Sequence, residues 1–113
     1  MSCLFCRIVA GEIPATKVYE DDDLLAFEDI HPQAPMHVLV VPKAHVPTVN
    51  DLTPGHDALV GAMVRRAGAL AAERGYAGSG FRTVFNCNAD AGQTVFHLHL
   101  HVLGGRVLAW PPG

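Results

Sequence analysis

The chain has 113 residues, half of them hydrophobic, and a formal net charge of −3. This length fits a single domain over residues 1–113, and the hydrophobic content argues against disorder. Because there is no basic cluster, no apolar run of about 20 residues and no signal pattern, neither a nucleic-acid polymer nor a membrane is an expected partner. Three cysteines, two of them close together, fit reduced thiols or a metal site, and we therefore expect a cytoplasmic protein.

A short helix opens the chain, and strand patterns follow it. Ser2 is suited to cap this helix and Gly11 to end it, with an apolar stripe between them. Strand composition or alternation is found, in chain order, at residues 17–20, 24–30, 37–41, 81–87 and 95–103. Connections of hairpin length among these strands imply antiparallel pairing.

One long helix is expected between the third and fourth strands. It begins at Thr53-Pro54, runs to about Arg74 and stops at Gly75. Its buried stripe is expected to comprise Leu59, Val60, Met63, Val64, Ala67, Leu70 and Ala71. The predicted fold is therefore α+β: a five-stranded antiparallel sheet with one long and one short helix. The long helix should cover one face, and the other face should open to solvent.

The fifth strand carries the most informative pattern in the chain. Strict alternation over residues 95–103 predicts one face with Phe96, Leu98, Leu100 and Val102, and another with His97, His99 and His101. Neighbouring side chains on one face lie roughly 6.6 to 6.8 Å apart, so three imidazoles can converge on one anion, or two on a metal ion.

This histidine face suits phosphate chemistry, because histidine can act as nucleophile and as acid near neutral pH. The preceding loop, residues 91–94, can offer backbone N–H groups and a hydroxyl to the same phosphate. There is no P-loop and no glycine-rich dinucleotide fingerprint, so magnesium-dependent nucleotide chemistry of that kind is not indicated.

The segment from His97 to Leu103 matches the pattern His-φ-His-φ-His-φ-φ, where φ is apolar, of the histidine triad family. Further matches are Gly11-Glu12-Ile13-Pro14-Ala15, Phe27-Glu28-Asp29-Ile30, Pro32-Gln33-Ala34-Pro35, Val40-Val41-Pro42-Lys43, Gly92-Gln93-Thr94 and Trp110-Pro111-Pro112-Gly113. Over nearly its whole length the chain thus resembles the Hint branch, the histidine triad nucleotide-binding proteins.

The resemblance implies a homodimeric hydrolase that binds purine nucleoside monophosphates. It would cleave nucleoside 5′-phosphoramidates through a nucleotidyl-histidine intermediate, with no cofactor in the reaction. The implied catalytic cluster is His99 as nucleophile, His101 at the phosphate, and His37 and His97 beside them. The implied nucleotide contacts are Asp29 to the ribose, Ile30 to the base, and Asn86, Gly92, Gln93 and Thr94 around the phosphate.

The resemblance also implies how two copies would meet. The long helix and the fourth strand would form the dimer, and the sheet would continue from one subunit into the other. The C-terminal tail, residues 104–113, would carry Trp110 toward the partner's site.

The pair Cys3-x-x-Cys6 raises the question of a metal, because two thiolates at this spacing can hold one zinc ion. The resemblance to some bacterial histidine triad proteins adds His45 and His97 as the other ligands of a structural zinc. The alternative is that the two cysteines pack as small hydrophobic residues with no metal.

Other functions remain open at this point. The chain could be a nucleotide-binding adaptor or sensor with incidental turnover. It could be a metalloenzyme that uses His97 and His99 as a zinc pair to activate water. A dinucleotide hydrolase or nucleotidyl transferase of a neighbouring branch is the nearest enzymatic alternative.

Overall fold

A computed structural model describes residues 3–113 and contains one five-stranded antiparallel sheet. The strands are β1 (Lys17–Glu20), β2 (Leu24–Glu28), β3 (Met36–Pro42), β4 (Phe81–Phe85) and β5 (Leu100–Gly104), in the spatial order β1-β2-β3-β5-β4. The helices are α1 (Leu4–Val9) and α2 (Asp57–Glu73), and 3₁₀ turns lie at Val49–Asp51, Pro54–His56 and Ala89–Ala91. The predicted α+β fold, with five antiparallel strands, one long helix and one short helix, is confirmed.

The short helix α1 begins at a cysteine. Cys3 is its N-cap, and the Cys3 sulfur accepts a hydrogen bond from the Cys6 N–H at 3.4 Å. The predicted cap, Ser2, lies outside the described residues. Gly11 follows the helix with φ of 79°, a conformation that favours glycine, and it turns the chain away as expected.

The pleat of the sheet separates two apolar clusters. The cluster toward α2 includes Val38, Val40, Leu98, Leu100 and Val102 from the sheet side and Met63, Ala67, Leu70 and Ala71 from the helix. The cluster toward α1 includes Leu25, Phe27, Leu39 and Val41 from the strands and Phe5 and Ile8 from the helix. Both faces of the sheet are therefore covered, which leaves only part of the second face open to ligands.

The long helix α2 buries most of its predicted stripe, but not all of it. Leu59 and Val60 are half-buried, and Val64 is 48% exposed. Val64 lies on the side of α2 nearest β4, where few side chains of the same chain pack against the helix. Among residues 3–113, no helix is long and apolar enough to cross a bilayer.

The histidine segment departs from its prediction, because β5 begins only at Leu100 rather than at residue 95. In the β3–β5 ladder Val40 pairs with Leu100, and the same register would set Pro42 opposite Leu98. Proline has no N–H to give to a ladder, so the pairing stops before it. Outside the ladder Phe96 is 49% exposed rather than in the core, and His97 is fully buried rather than facing solvent.

Candidate active site

A cleft of about 640 Å³ lies between α1 and the face of the sheet opposite α2. Its wall is mostly apolar, formed by Leu4, Phe5, Ile8, Ile13, Phe27 and Leu39. Asp29, His99 and His101 lie close together and form its polar end. Thr16, Glu28, His31 and Thr94 also line the cleft, and Ile30 lies at the rim with 86% exposure. An apolar cleft with a few convergent polar groups is the usual form of a small-molecule site.

The orientation of His99 determines which of its nitrogens is free. Nδ1 lies 2.7 Å from the backbone oxygen of His97, and because a carbonyl can only accept, Nδ1 carries the proton and donates it. The neutral ring therefore keeps its lone pair on Nε2. The Phe5 ring stands edge-on to His99 at 5.1 Å between centroids, and burial lowers the pKa of His99. His99 is thus a neutral imidazole with an unshared Nε2.

A second chain of hydrogen bonds fixes the protons of His37 and His101. The backbone N–H of Gln33 donates to His37 Nδ1 at 3.0 Å, so the proton of the neutral His37 ring is on Nε2. His37 Nε2 donates to His101 Nδ1 at 2.9 Å, which leaves the His101 proton on Nε2. Burial, with smaller contributions from His99 and His37, lowers the pKa of His101 to about 4. A hydrogen-bond donor on His101 therefore stands beside His99, with 5.0 Å between the ring centroids.

Asp29 supports this relay rather than completing a metal site. Asp29 Oδ1 accepts from the His31 N–H at 2.8 Å, and Oδ2 lies 3.4 Å from His37 Nε2. Asp29, His37 and His101 are close enough to hold an ion. However, His37 Nδ1 already accepts a backbone N–H, so a metal on Nε2 would require the ring to lose its one remaining N–H proton and become an imidazolate. The geometry favours a hydrogen-bond relay.

The fourth histidine of the predicted cluster, His97, faces away from the cleft. His97 Nε2 donates to the Pro42 carbonyl at 2.7 Å, which leaves the lone pair on Nδ1. His97 Nδ1 lies 3.3 Å from Cys3 Sγ, 3.4 Å from Cys6 Sγ and 3.2 Å from His45 Nδ1. Because His97 and His99 aim their free nitrogens in different directions, they do not form the zinc pair of a water-activating metalloenzyme.

Cys3, Cys6, His45 and His97, which we call the Cys/His cluster, fit a tetrahedral zinc ion. Their donor atoms all lie within 4.8 Å of one another. Zinc bonds of about 2.0 Å to nitrogen and 2.3 Å to sulfur give tetrahedron edges of about 3.3 to 3.8 Å, close to the distances found here. Burial and the neighbouring Cys3 raise the pKa of the Cys6 thiol, a crowding that a cation between the sulfurs would relieve. The bond from His97 to Pro42 is the outer-shell contact that zinc-binding imidazoles usually have.

The remaining predicted residues are only partly gathered at the cleft. Thr94 lines it, whereas Asn86 and Gly92 do not reach its wall. The side chain of Gln93 is buried and donates to the backbone oxygens of Pro47 and Val95, and Gln93 itself does not line the cleft. Trp110 is 81% exposed and lies outside the cleft of its own chain.

The apolar wall of the cleft is the part of the site that was not predicted from the sequence. The sequence predicts Leu4, Phe5 and Ile8 only as members of the apolar stripe of the short helix between positions 2 and 11. The available signal was that Cys3 and Cys6 lie within this stripe, and their contacts with His45 and His97 hold α1 over the sheet. An apolar stripe in the sequence does not distinguish a helix that packs on a hydrophobic core from a helix that lines a ligand site.

Comparisons with known proteins agree with this geometry. A family model described as "Scavenger mRNA decapping enzyme C-term binding" matches residues 2–107. A HIT family hydrolase from Legionella pneumophila superposes with a TM-score of 0.98 at 52% identity, covering 99% of this chain and 100% of that one. The purine nucleoside phosphoramidase of Escherichia coli K12 is 45% identical over 93% of this chain and 88% of its own. A zinc-bound histidine triad protein from Mycobacterium smegmatis has a TM-score of 0.81 at 40% identity, covering 94% of this chain and 76% of that one.

Proposed function

The chain belongs to the histidine triad family, and from that premise we propose that it is a hydrolase of purine nucleoside 5′-phosphoramidates, cleaving the P–N bond. The observation that supports this most directly is the pairing of a free His99 Nε2 with a His101 N–H at the polar end of an apolar cleft. An attacking lone pair beside a hydrogen-bond donor is what displacement at phosphorus requires.

The proposed reaction has two displacements. His99 Nε2 attacks phosphorus, the P–N bond breaks, and the departing nitrogen takes up a proton from solvent and leaves as the amine. Water then attacks the nucleotidyl-histidine, the P–N bond to His99 breaks, and the nucleoside monophosphate and one proton are released to solvent, which restores the neutral His99. His101 Nε2–H donates to the phosphate oxygens as charge develops on them. The chemistry uses only groups of this chain, and no cofactor takes part in it.

The nucleotide is proposed to lie along the cleft. Ile30 would stack against the base, Asp29 would bind the ribose hydroxyls, and Thr94 would meet the phosphate. The family pattern places Asn86, Gly92 and Gln93 at the phosphate end, but none of the three lines the cleft.

We propose that zinc at the Cys/His cluster is structural. The cluster has the donor set and spacing for it, and one solved relative is described as zinc-bound. Zinc would hold α1, and therefore the apolar wall, against the histidine segment. No step of the reaction passes through the ion.

The full active unit is proposed to be a homodimer of this single domain, residues 1–113, in the cytoplasm. β4 is an edge strand that carries the exposed Phe81, and Val64 of the neighbouring helix α2 is exposed as well. Pairing of two β4 strands would cover this edge and extend the sheet. The exposed Trp110 would then complete the partner's site. Free cysteines, as found at positions 3, 6 and 87, fit a reducing compartment.

The test is hydrolysis of adenosine 5′-phosphoramidate by the wild type, His99→Ala and a control, His56→Gln, outside the cleft. We expect His99→Ala to lower kcat by roughly 10³-fold or more while AMP binding changes by less than about threefold. The control should behave as wild type. Binding of AMP without turnover by the wild type would indicate an adaptor or sensor. Preferred cleavage of a dinucleotide would indicate a neighbouring branch of the family.

A further inference from the structure

The segment that carries the proposed nucleophile is not held by the sheet. Residues 95–99 precede β5, and the backbone bond that links them to another segment is Leu98 N–H to Val46 O, at 2.6 Å. His99 hydrogen-bonds to the backbone of this same segment, at the His97 carbonyl. Any shift of the segment therefore moves His99 Nε2 with it.

The side chain of Gln93 joins this segment to two others. Gln93 Nε2 donates to Val95 O at 3.1 Å and to Pro47 O at 3.0 Å. Gln93 Oε1 accepts from the Asn88 N–H at 2.8 Å. Only 7% of Gln93 is exposed, and both amide hydrogens are bonded, so the amide has no donor left for a phosphate.

The three partners of Gln93 belong to three different parts of the site. Val95 begins the histidine segment, and Pro47 lies two residues after His45 of the Cys/His cluster. Asn88 follows β4 and has φ of 64° and ψ of −169°, a backbone conformation rare outside glycine that a side-chain acceptor on its N–H helps to hold. One buried amide thus links residues 95–99, the loop after His45 and the loop that begins at Asn88.

We propose that Gln93 is a positioning residue, and not a phosphate ligand, for the histidine chemistry described above. It fixes the place of the 95–99 segment, and through the His97 carbonyl it fixes the aim of His99 Nε2. The inference rests on the proposed function for its catalytic consequence, because a displacement of about 1 Å in a reacting group can lower a rate by about 10²-fold.

The experiment compares wild type with Gln93→Met, which keeps the length of the side chain and removes its hydrogen bonds. Gln93→Asn is a milder variant for the case that the first does not fold. We expect the single-turnover rate of His99 nucleotidylation to fall 10- to 100-fold in Gln93→Met, with the Kd for AMP changed by less than threefold. Exchange of the Leu98 amide hydrogen, measured by NMR, should be at least tenfold faster.

A matched control separates positioning from loss of stability. Leu70→Val removes one buried methylene from α2 on the other side of the sheet, so it lowers stability and should leave the nucleotidylation rate unchanged. An increase in the Kd for AMP with an unchanged rate in Gln93→Met would overturn the inference in favour of phosphate contact. Unchanged Leu98 exchange would overturn it as well. Absence of turnover by the wild type would instead contradict the proposed function, and the exchange measurement would still decide the role of Gln93.

Discussion

At the scale of single residues, the site depends on where a few protons are held. The His97 carbonyl fixes the proton of His99 on Nδ1, and the Gln33 N–H fixes that of His37 on Nε2. Each assignment follows from a backbone group that can play only one role in a hydrogen bond. The fold therefore determines, before substrate binds, that His99 Nε2 has the free lone pair and that His101 Nε2 has the N–H donor.

The buried imidazoles should make the stability of the metal-free protein depend on pH. Burial lowers the pKa values of His97, His99 and His101 below the ordinary 6.5, that of His101 to about 4. As pH falls, the unfolded chain takes up these protons first. Their contribution to stability is therefore complete above about pH 6.5 and is lost on going toward pH 4.

We expect the free energy of unfolding to fall by about 1 to 2 kcal/mol between pH 7 and pH 5, a range that allows for the partial exposure of His101. Urea denaturation with a chelator present measures it. The decrease should be smaller in His101→Asn. An equally steep decrease in that variant would show that His101 does not contribute.

At the scale of elements, α1 is too short to be stable alone, since isolated helices shorter than about 12 residues are marginal in water. Its buried side chains Phe5 and Ile8 and the Cys/His cluster hold it in place. This small helix supplies part of the apolar wall of the cleft and the Phe5 ring that packs on His99, so order in α1 and order in the site are linked.

Removal of zinc should therefore loosen α1. We expect saturating zinc to raise Tm by roughly 10 °C over the chelated protein, and chelation to speed amide exchange in residues 3–10. The double variant Cys3→Ser/Cys6→Ser should show no response to zinc, whereas Cys87→Ser should respond as wild type. Equal exchange in α1 with and without zinc would contradict a structural role for the ion.

Most elements could be predicted from the sequence because their patterns are local. The turn at Gly11, the strand alternation and the periodicity of α2 are each determined within a few residues. The start of β5 could not be predicted, because it depends on Pro42 standing opposite Leu98 across the sheet. For the same reason, the burial of His97 and the contact of Gln93 with Pro47 could not be predicted, because their partners lie 46 to 94 positions away in the sequence.

At the scale of the whole molecule, the side formed by α2 and the edge strand β4 leaves apolar side chains exposed. Gly68 of α2 faces the Phe81 ring, whose tip lies 4.0 Å from where a Cβ at residue 68 would stand, and Val64 is exposed one turn earlier. Arg82 of β4 donates to the carbonyls of Leu108 and Ala109, which fixes the tail to the same edge. A second copy of the chain bound at this side would cover both Val64 and Phe81.

We expect the wild type to have twice the mass of the chain by light scattering, and Val64→Glu to be monomeric, because a buried unpaired carboxylate is strongly unfavourable. Ala62→Glu, on the opposite flank of α2, should stay dimeric. If Trp110 acts in the partner's site, the Val64→Glu monomer should also lose turnover. A monomeric wild type would refute this arrangement.

The central claim is that His99 Nε2 becomes bonded to phosphorus. The most direct measurement is intact-mass spectrometry of the protein quenched within its first turnover of adenosine 5′-phosphoramidate, followed by peptide mapping. We predict a transient gain of one adenylyl group, located on His99 and absent from His99→Ala. Turnover without any covalent adduct, or an adduct on a different residue, would contradict the claim.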